Sequence, residues 1–233
     1  MLTRGLMAML AGAALTAGAG PAEKIKEAAK QLEQQPNYSW TTTTKEADGS
    51  AGRLSPIEWK IQKDHLMSFN ITPGGIPVEV YVKGEKGAAK ALEGWQTLDE
   101  IAQTSGTAAA IVRYLKTYKA PAAQSANLAA NVKEFKEEDG ALGGDLKEEA
   151  VKEMLLLGAR RREGEEAPKA SDADGSAKFW IKDGALSKYE IHIHGKIISA
   201  DRTVELNRTI TVEIKDVGTT KIEVPEEAKP KMS

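Results

Sequence analysis

Strict alternation of apolar and polar residues marks the last third of the chain. Between Thr203 and Lys215, every even position except Arg208 is aliphatic and every odd position is polar. Residues two apart in a β-strand point to the same face of the sheet. The pattern therefore predicts one long strand in a sheet that has one buried face and one solvated face.

Further strands are indicated where β-branched and aromatic residues alternate with polar ones. Segments 178–182 and 189–194 form a hairpin across Asp183 and Gly184, a dipeptide typical of two-residue turns. The first half of the chain carries an aromatic and threonine-rich strand at 38–44, alternating strands at 54–63, 67–71 and 78–82, a turn at 73–75 and a hairpin loop at 83–87. This order favours an antiparallel meander.

Helical spacing occurs in two parts of the chain. Near the start, Ile25, Ala28, Ala29 and Leu32 fall on one face of a helix that ends before Pro36. The middle of the chain carries three more predicted helices, at 98–118, through Leu128, Val132 and Phe135, and through Val151, Met154 and Leu155. We expect a flexible break at 140–144 and an exposed loop at 160–176, where no period is present.

Together these elements predict an α+β fold. We expect a curved antiparallel sheet, shaped as a half-barrel, with helices packed on its concave apolar face. Strands before and after a helical insert at about 98–158 belong to this one sheet, in a single domain that spans residues 20–233. A long twisted sheet around helices encloses either a filled core or a cavity, and periodicity leaves both interpretations open.

Residues 1–19 have the pattern of a secretory signal peptide. A positive n-region ends at Arg4, residues 6–15 are apolar, and 17–19 are the small residues that signal peptidase accepts. We expect cleavage before Gly20 and a periplasmic or secreted mature protein. The chain has no Cys, which excludes a lipobox, disulfides and Cys-ligated metals.

Charge and hydropathy narrow the candidate partners. The formal net charge is −2, and this absence of a basic excess argues against nucleic acid as a partner. The tightest basic cluster, 160–162, is followed at once by acidic residues, which is typical of a solvated loop. No segment after the signal is long and apolar enough to span a bilayer.

Few residues suit catalysis or metal binding. His192, His194 and Glu190 share one side of a strand, so a His-x-His site with a carboxylate is one interpretation and a solvated sheet face is the other. Segment 172–175 resembles a calcium loop, but its Gly comes two positions early and the twelfth position is not Glu. Nucleophile-elbow and phosphate-loop motifs are absent from the sequence. We therefore predict no catalytic residue, no metal and no cofactor.

The strand with Tyr38 and Trp40, the hairpin at 178–191 and the closing segment at 209–228 carry a family resemblance. They resemble the periplasmic lipoprotein-carrier (LolA-type) half-barrel superfamily, which includes mycobacterial lipid-binding relatives of the LppX and LprG type. The resemblance implies a sheet whose concave apolar face holds acyl chains under helices. Ligand contacts in that superfamily are apolar wall positions and not a fixed motif, so no contact residue is carried over.

We expect an exported, non-enzymatic binding or carrier protein for a lipid, lipoprotein acyl chains or another apolar small molecule. Envelope proteins are further candidate partners. The candidate cavity-wall residues share inward strand positions or a helical lid: Trp40, Trp59, Phe69, Val80, Val112, Leu115, Tyr189, Ile191, Leu206, Arg208 and Ile210. The same faces carry Tyr38, Ile61, Val82, Val132, Phe135, Val204 and Val212.

Two alternatives remain open at this point. Arg208, the one charge on the apolar face, is either a partner for an anionic head group or an arginine that snorkels or pairs with a carboxylate. The whole chain is either a carrier or a cell-envelope protein-interaction module with a dry core and no ligand.

Overall fold

One open antiparallel sheet of eleven strands organises the described part of the chain. The computed structural model describes residues 20–52, 55–71, 77–91, 94–104, 109, 111–112, 115, 118–157, 166–200 and 202–232. The predicted signal peptide and the turn at 73–75 lie outside these residues. The strands are Asn37–Glu46 (β1), Ile57–Gln62 (β2), Leu66–Ile71 (β3), Val78–Lys83 (β4), Lys86–Ala91 (β5), Gly94–Thr97 (β6), Lys136–Glu138 (β7), Ala141–Asp145 (β8), Lys169–Lys182 (β9), Ala185–Ile198 (β10) and Thr203–Lys215 (β11).

Helices lie on one face of this sheet. The described α-helices are Pro21–Glu33 (α1), Leu98–Ala102 (α2), Pro121–Ala130 (α3) and Glu148–Leu156 (α4), with 3-10 turns at Lys63–His65 and Lys229–Met232. Helix α1 packs on α3 and β10, and α4 packs on β9 and β10. The predicted fold class, α+β with a curved antiparallel sheet and helices on its apolar face, is confirmed.

The strand order is β6-β5-β4-β3-β2-β1-β11-β10-β9-β8-β7. Strand β1 therefore joins the N-terminal meander to the C-terminal strands. The register pairs Trp40 with Trp59 on β2, and Thr42 with Val212 on β11. Val212 in turn pairs with Tyr189 on β10. We call the face that carries these side chains the inner face, and the opposite face, which carries residues such as Thr41, the outer face.

Helix α1 forms as its spacing predicts. Ile25, Ala28, Ala29 and Leu32 are its buried residues, and Pro21 occupies its first turn. Proline is favoured there because its missing N–H has no partner at a helix start in any case. None of the helices in the described part of the chain combines the length and the apolarity needed to cross a membrane.

Three predictions about the helical insert are wrong. The helix predicted at 98–118 is not continuous: α2 ends at Ala102, and the described residues at 109, 111, 112 and 115 are again helical. Helix α3 ends at Ala130 and does not continue through Phe135. Segment 140–144 is not a flexible break, because β8 pairs there with both β7 and β9. Val132 bridges to Leu146 instead of continuing the helix, since the backbone there is needed by the adjoining hairpin.

The glycine pair in β8 explains why this hairpin resembles a loop in sequence. A Cβ at Gly144 would overlap the Glu134 carbonyl oxygen and lie 3.0 Å from Val132 Cγ1. Glycine in a strand often marks such a close backbone approach. The pair therefore allows dense packing and does not confer flexibility.

One further expectation is corrected at the C-terminal side. A loop is predicted at 160–176, but residues 169–176 form the first half of β9. Of the rest of this segment, residues 160–165 lie outside the described chain and 166–168 have no regular secondary structure. The apolar pair Ile222 and Val224 is not in a strand. Both edges of β11 are already occupied by β1 and β10, so the segment after β11 has no free edge to join. It runs instead toward β5 and β6, which contact the final 3-10 turn.

Replacing Gly144 tests the packing of the β7–β8 hairpin. We expect Gly144→Ala to lower the free energy of unfolding by about 1–3 kcal/mol, because overpacking forces the backbone apart. Glu137→Ala on the same hairpin is exposed and should change the free energy by about 0.5 kcal/mol or less. Urea denaturation of both variants measures the difference, and equal stability would contradict the packing described here.

Candidate functional site

An aromatic cluster occupies the inner face where β1, β2 and β3 meet. Trp40, Trp59 and Phe69 are side by side in the register of these strands. Trp40 and Trp59 stack with ring centroids 5.6 Å apart, and Trp59 lies 4.4 Å from Phe69. All three side chains are buried. Neighbouring Tyr38 is also buried, and burial raises the pKa of its hydroxyl above the ordinary value of 10.0.

Tyr118, from the helical insert, covers the aromatic cluster. Its ring is parallel to that of Trp59 at a centroid distance of 4.3 Å. Its hydroxyl accepts a hydrogen bond of 3.0 Å from Trp40 Nε1. Stacking of this kind adds about 0.5–1.5 kcal/mol per pair to the area that is buried. The Tyr118 side chain therefore anchors the insert on the sheet.

The other half of the inner face is built from β9, β10 and β11. Val212, Tyr189 and Phe179 are side by side in the register, and all three are buried. The Tyr189 hydroxyl donates a hydrogen bond to Gln124 Oε1 on α3. This hydrogen bond holds α3 over this half of the sheet.

The structure brings the predicted wall residues together on one apolar core. The fully buried members are Trp40, Trp59, Phe69, Val80, Val112, Tyr189 and Ile191, and the half-buried ones are Leu115, Leu206 and Ile210. Tyr38, Ile61, Val82, Val132, Phe135 and Val212 belong to the same core. Val204 does not belong to it: 38% of its surface is exposed. Alternation indicates which face a residue takes, but it does not indicate where the helices above that face end. Ligand contact by any of these residues stays a prediction.

The inner face becomes less covered toward the β10–β11 turn. Val204 pairs with Ile197, and Leu206 pairs with Gly195. Ile197 and Leu206 are half-buried, and Val204 is exposed. We call Ile197, Val204 and Leu206 the open end. Leu157, directly after α4, is 53% exposed.

Arg208 lies next to the open end and directly opposite Glu46 on β1. Its Nε is 3.8 Å from Glu46 Oε2, and the two side chains are 29% and 34% exposed. That separation is an ion-pair distance but exceeds hydrogen-bond range. The second interpretation of Arg208, pairing with a carboxylate, thus has a partner in Glu46, but the contact between the two side chains is loose.

Polar groups without hydrogen bonds occur along this same face. Thr42 Oγ1, Trp59 Nε1 and Arg208 Nε are buried and have no hydrogen-bond partner within the described chain. Such a group costs about 1–3 kcal/mol when it stays unsatisfied. Indole and guanidinium nitrogens are donors only, so these positions suit acceptor oxygens. The alternating pattern predicts Trp59 and Arg208 as inner-face residues. It does not indicate Thr42, Tyr118 or Glu46, because their roles depend on strand pairing and on the position of the insert.

The histidine pair lies on the outer face. His194 Nδ1 is 2.8 Å from Asp174 Oδ2, and its Nε2 is 3.3 Å from Glu205 Oε1. His192 Nδ1 lies 3.3 Å from Thr209 Oγ1. Among the described residues, no group of three or more His, Cys, Asp or Glu side chains is arranged to hold a metal ion. The solvated-face interpretation agrees with these contacts.

Removing the Tyr118 hydroxyl tests the contact that fastens the insert. We expect Tyr118→Phe to lower the free energy of unfolding by about 1–3 kcal/mol, because the buried Trp40 N–H loses its acceptor. Tyr118→Leu also removes the ring and should lose about 0.5–1.5 kcal/mol more. Urea denaturation followed by tryptophan fluorescence measures both variants. Wild-type stability in Tyr118→Leu would show that the insert is not fastened there.

The outer-face His194 predicts a pH dependence of stability. Hydrogen bonds to Asp174 and Glu205 raise its pKa above the ordinary 6.5. The protonated ring therefore stabilises the folded state fully below pH 6.5, and this contribution is lost as the pH rises through the higher folded-state pKa.

We expect the free energy of unfolding to fall above pH 6.5, and to fall less in His194→Gln. His65→Gln, which changes an exposed histidine, is the control and should retain the wild-type slope. Denaturant titrations at a series of pH values measure the slopes. Identical slopes for the wild type and His194→Gln would contradict the assignment.

Comparison with known proteins finds likeness of structure alone. No protein-family model matches the chain, and no curated protein sequence matches it. Lipoprotein LppX of Mycobacterium tuberculosis is 14% identical, with 88% of this chain and 98% of that chain covered and a TM-score of 0.49. LprF of Mycobacterium bovis is 10% identical, with 89% and 97% covered and a TM-score of 0.48. A LolA superfamily protein of Nitrosomonas europaea is 9% identical, with 88% and 96% covered and a TM-score of 0.34. The solved structures to which this chain is similar thus include proteins of the kind that its sequence resembles.

Proposed function

We propose that the chain is an exported, non-enzymatic binding or carrier protein for a lipid, lipoprotein acyl chains or another apolar ligand. One observation carries the proposal. The apolar inner face continues past its helical cover, from buried Tyr189 and Ile191 to half-buried Ile210 and Leu206 and to exposed Val204. An apolar surface that extends from a core to solvent is the usual form of a site for an apolar partner.

The two sheet faces differ in the way that such a site requires. On β11 the outer-face side chains are polar throughout, and Thr209 and Thr211 contact the polar side chains of His192 and Glu190 on β10. The inner-face side chains of the same strand are aliphatic apart from Arg208. The outer face of β11 is therefore polar, while its inner face keeps apolar area that an acyl chain would cover at about 0.8 kcal/mol per buried CH₂.

The inner face of β1 supplies a path for a chain. It runs from Glu46, beside the open end, to Trp40 in the aromatic cluster, six residues or about 20 Å along the strand. Thr42 and Thr44 lie between them, opposite Val212 and Ile210 of β11. Tyr118 covers the far end of this path. An acyl chain that enters at the open end would contact β11 first and the tryptophans last.

Export and the absence of catalysis are part of the same proposal. The pattern of residues 1–19 supports export, and the lack of a nucleophile or phosphate-loop motif supports a binding role. An envelope protein that loads or unloads the ligand would meet the open end, where the apolar residues are accessible.

Native mass spectrometry tests the proposal. The purified protein is incubated with vesicles of dioleoyl lipids, re-isolated and analysed together with a solvent extract. We expect bound lipid at a stoichiometric ratio. Leu206→Lys should reduce it about tenfold or more, because a charge then lies among the apolar side chains of the open end. Asn207→Lys, on the neighbouring outward position, should bind as the wild type does.

The outcomes separate the candidate functions. Thermal melting shows first that both variants are folded. A protein that retains no lipid under any condition would contradict the carrier proposal and favour the interaction module with a dry core. Equal loss in Leu206→Lys and Asn207→Lys would show that lipid binds elsewhere than on the inner face.

A further inference from the structure

The loose ion pair on the inner face is set in apolar surroundings. Arg208 lies between Leu206 and Ile210 along β11, with buried Ile193 beside it on β10 and Glu46 beside it on β1. Charged side chains on an apolar face are costly unless they are paired and hydrogen-bonded. Packing alone therefore does not explain why this ion pair lies on the inner face.

Neither member of the pair is saturated with hydrogen bonds. Arg208 Nε is buried without a hydrogen-bond partner, and Glu46 Oε2 at 3.8 Å is the ion-pair contact that the described chain offers its side chain. A guanidinium has five N–H donors and a carboxylate about four acceptor positions. About a third of each side chain remains accessible. Donors on one strand and acceptors on the next therefore face a half-covered apolar surface.

The charges of the pair restrict what can bind there. An anion alone would satisfy Arg208 but would meet the carboxylate of Glu46 at the same strand position, and a cation alone would meet the opposite conflict. A group that carries both charges satisfies both residues at once. Phosphate oxygens match the planar fork of a guanidinium, and a primary ammonium offers three donors to a carboxylate.

We propose that Arg208 and Glu46 receive a zwitterionic phosphoethanolamine head group, with the phosphate on Arg208 and the ammonium on Glu46. The inference deepens the carrier function and rests on it. The acyl chains of the same lipid lie on the apolar positions that flank the pair, Leu206 and Ile210. The head group stays at the half-exposed pair, and the chains follow the inner face toward the aromatic cluster.

Lipid competition tests this head-group site. The purified protein is incubated with vesicles of dioleoyl phosphatidylethanolamine, dioleoyl phosphatidylglycerol and diolein in equal amounts, and the lipids bound to the re-isolated protein are quantified. Because the three lipids share their acyl chains, differences in capture report the head group. We expect phosphatidylethanolamine to be captured about tenfold more than phosphatidylglycerol.

The two charge-neutral variants should change the capture of phosphatidylglycerol in opposite directions. A purely structural role for the pair would not produce this difference. Glu46→Gln should lose the preference, and its capture of phosphatidylglycerol should rise because the opposing carboxylate is gone. Arg208→Gln should lower both phospholipids to the level of diolein. The double variant Glu46→Gln, Arg208→Gln should bind all three alike. Lys215→Gln, on the outer face of the same strand, is the matched control and should behave as the wild type does.

The results distinguish this inference from the carrier function. Preferential capture of phosphatidylglycerol, equal capture of the two phospholipids, or an unchanged preference in both single variants would overturn the head-group assignment and leave the carrier function intact. Capture of none of the three lipids by the folded wild type would contradict the carrier function and the head-group site together.

Discussion

Pairing of β1 with β11 is the constraint on which the inner face depends. The two strands are far apart in the chain, and the bond of 2.7 Å between Ser39 and Asp216 at their ends spans 177 positions. Bringing such distant segments together costs loop-closure entropy, which the ladder and its buried side chains offset. Without this pairing the meander of β2 to β6 would be separate from β7 to β10. The pairing also brings Glu46 to Arg208 and Thr42 to Val212, so it creates both the path and the charged position beside it.

The insert determines how much of the inner face is covered and how much is left accessible. Tyr118 fills the space above Trp59 with a parallel ring, which is the behaviour of a dry core. Near the open end the same face is half-covered, and Leu206 and Val204 reach solvent. Under the proposed carrier function, a ligand would gain apolar contact first at the open end, and further contact would require that it compete with Tyr118. The affinity of the proposed site would then depend on how firmly the hydrogen bond from Trp40 to Tyr118 holds the insert.

The alternation in β1, β2, β3, β10 and β11 was sufficient to predict which residues face inward, because side-chain direction in a strand is a local property. The same is true of α1, whose spacing alone identifies its buried face. The β7–β8 hairpin was missed because Gly143 and Gly144 resemble a flexible segment until the backbone that approaches them is known. The partnership of Glu46 with Arg208 depends on long-range register, and the exposure of Val204 depends on where α4 ends. Neither the pairing nor the exposure can be predicted from the local alternation of apolar and polar residues.

The four tryptophans of the chain allow the most direct test of the central claim, that the inner face binds an apolar ligand. Trp40 and Trp59 lie on the inner face, whereas Trp180 and Trp95 lie on the outer face, where each is near a lysine. The measurement is tryptophan fluorescence of the variant Trp95→Phe, Trp180→Phe during titration with a phospholipid that carries brominated acyl chains. Binding on the inner face predicts saturable quenching by the brominated lipid and none by its unbrominated counterpart. Undiminished fluorescence at saturating lipid would contradict the claim.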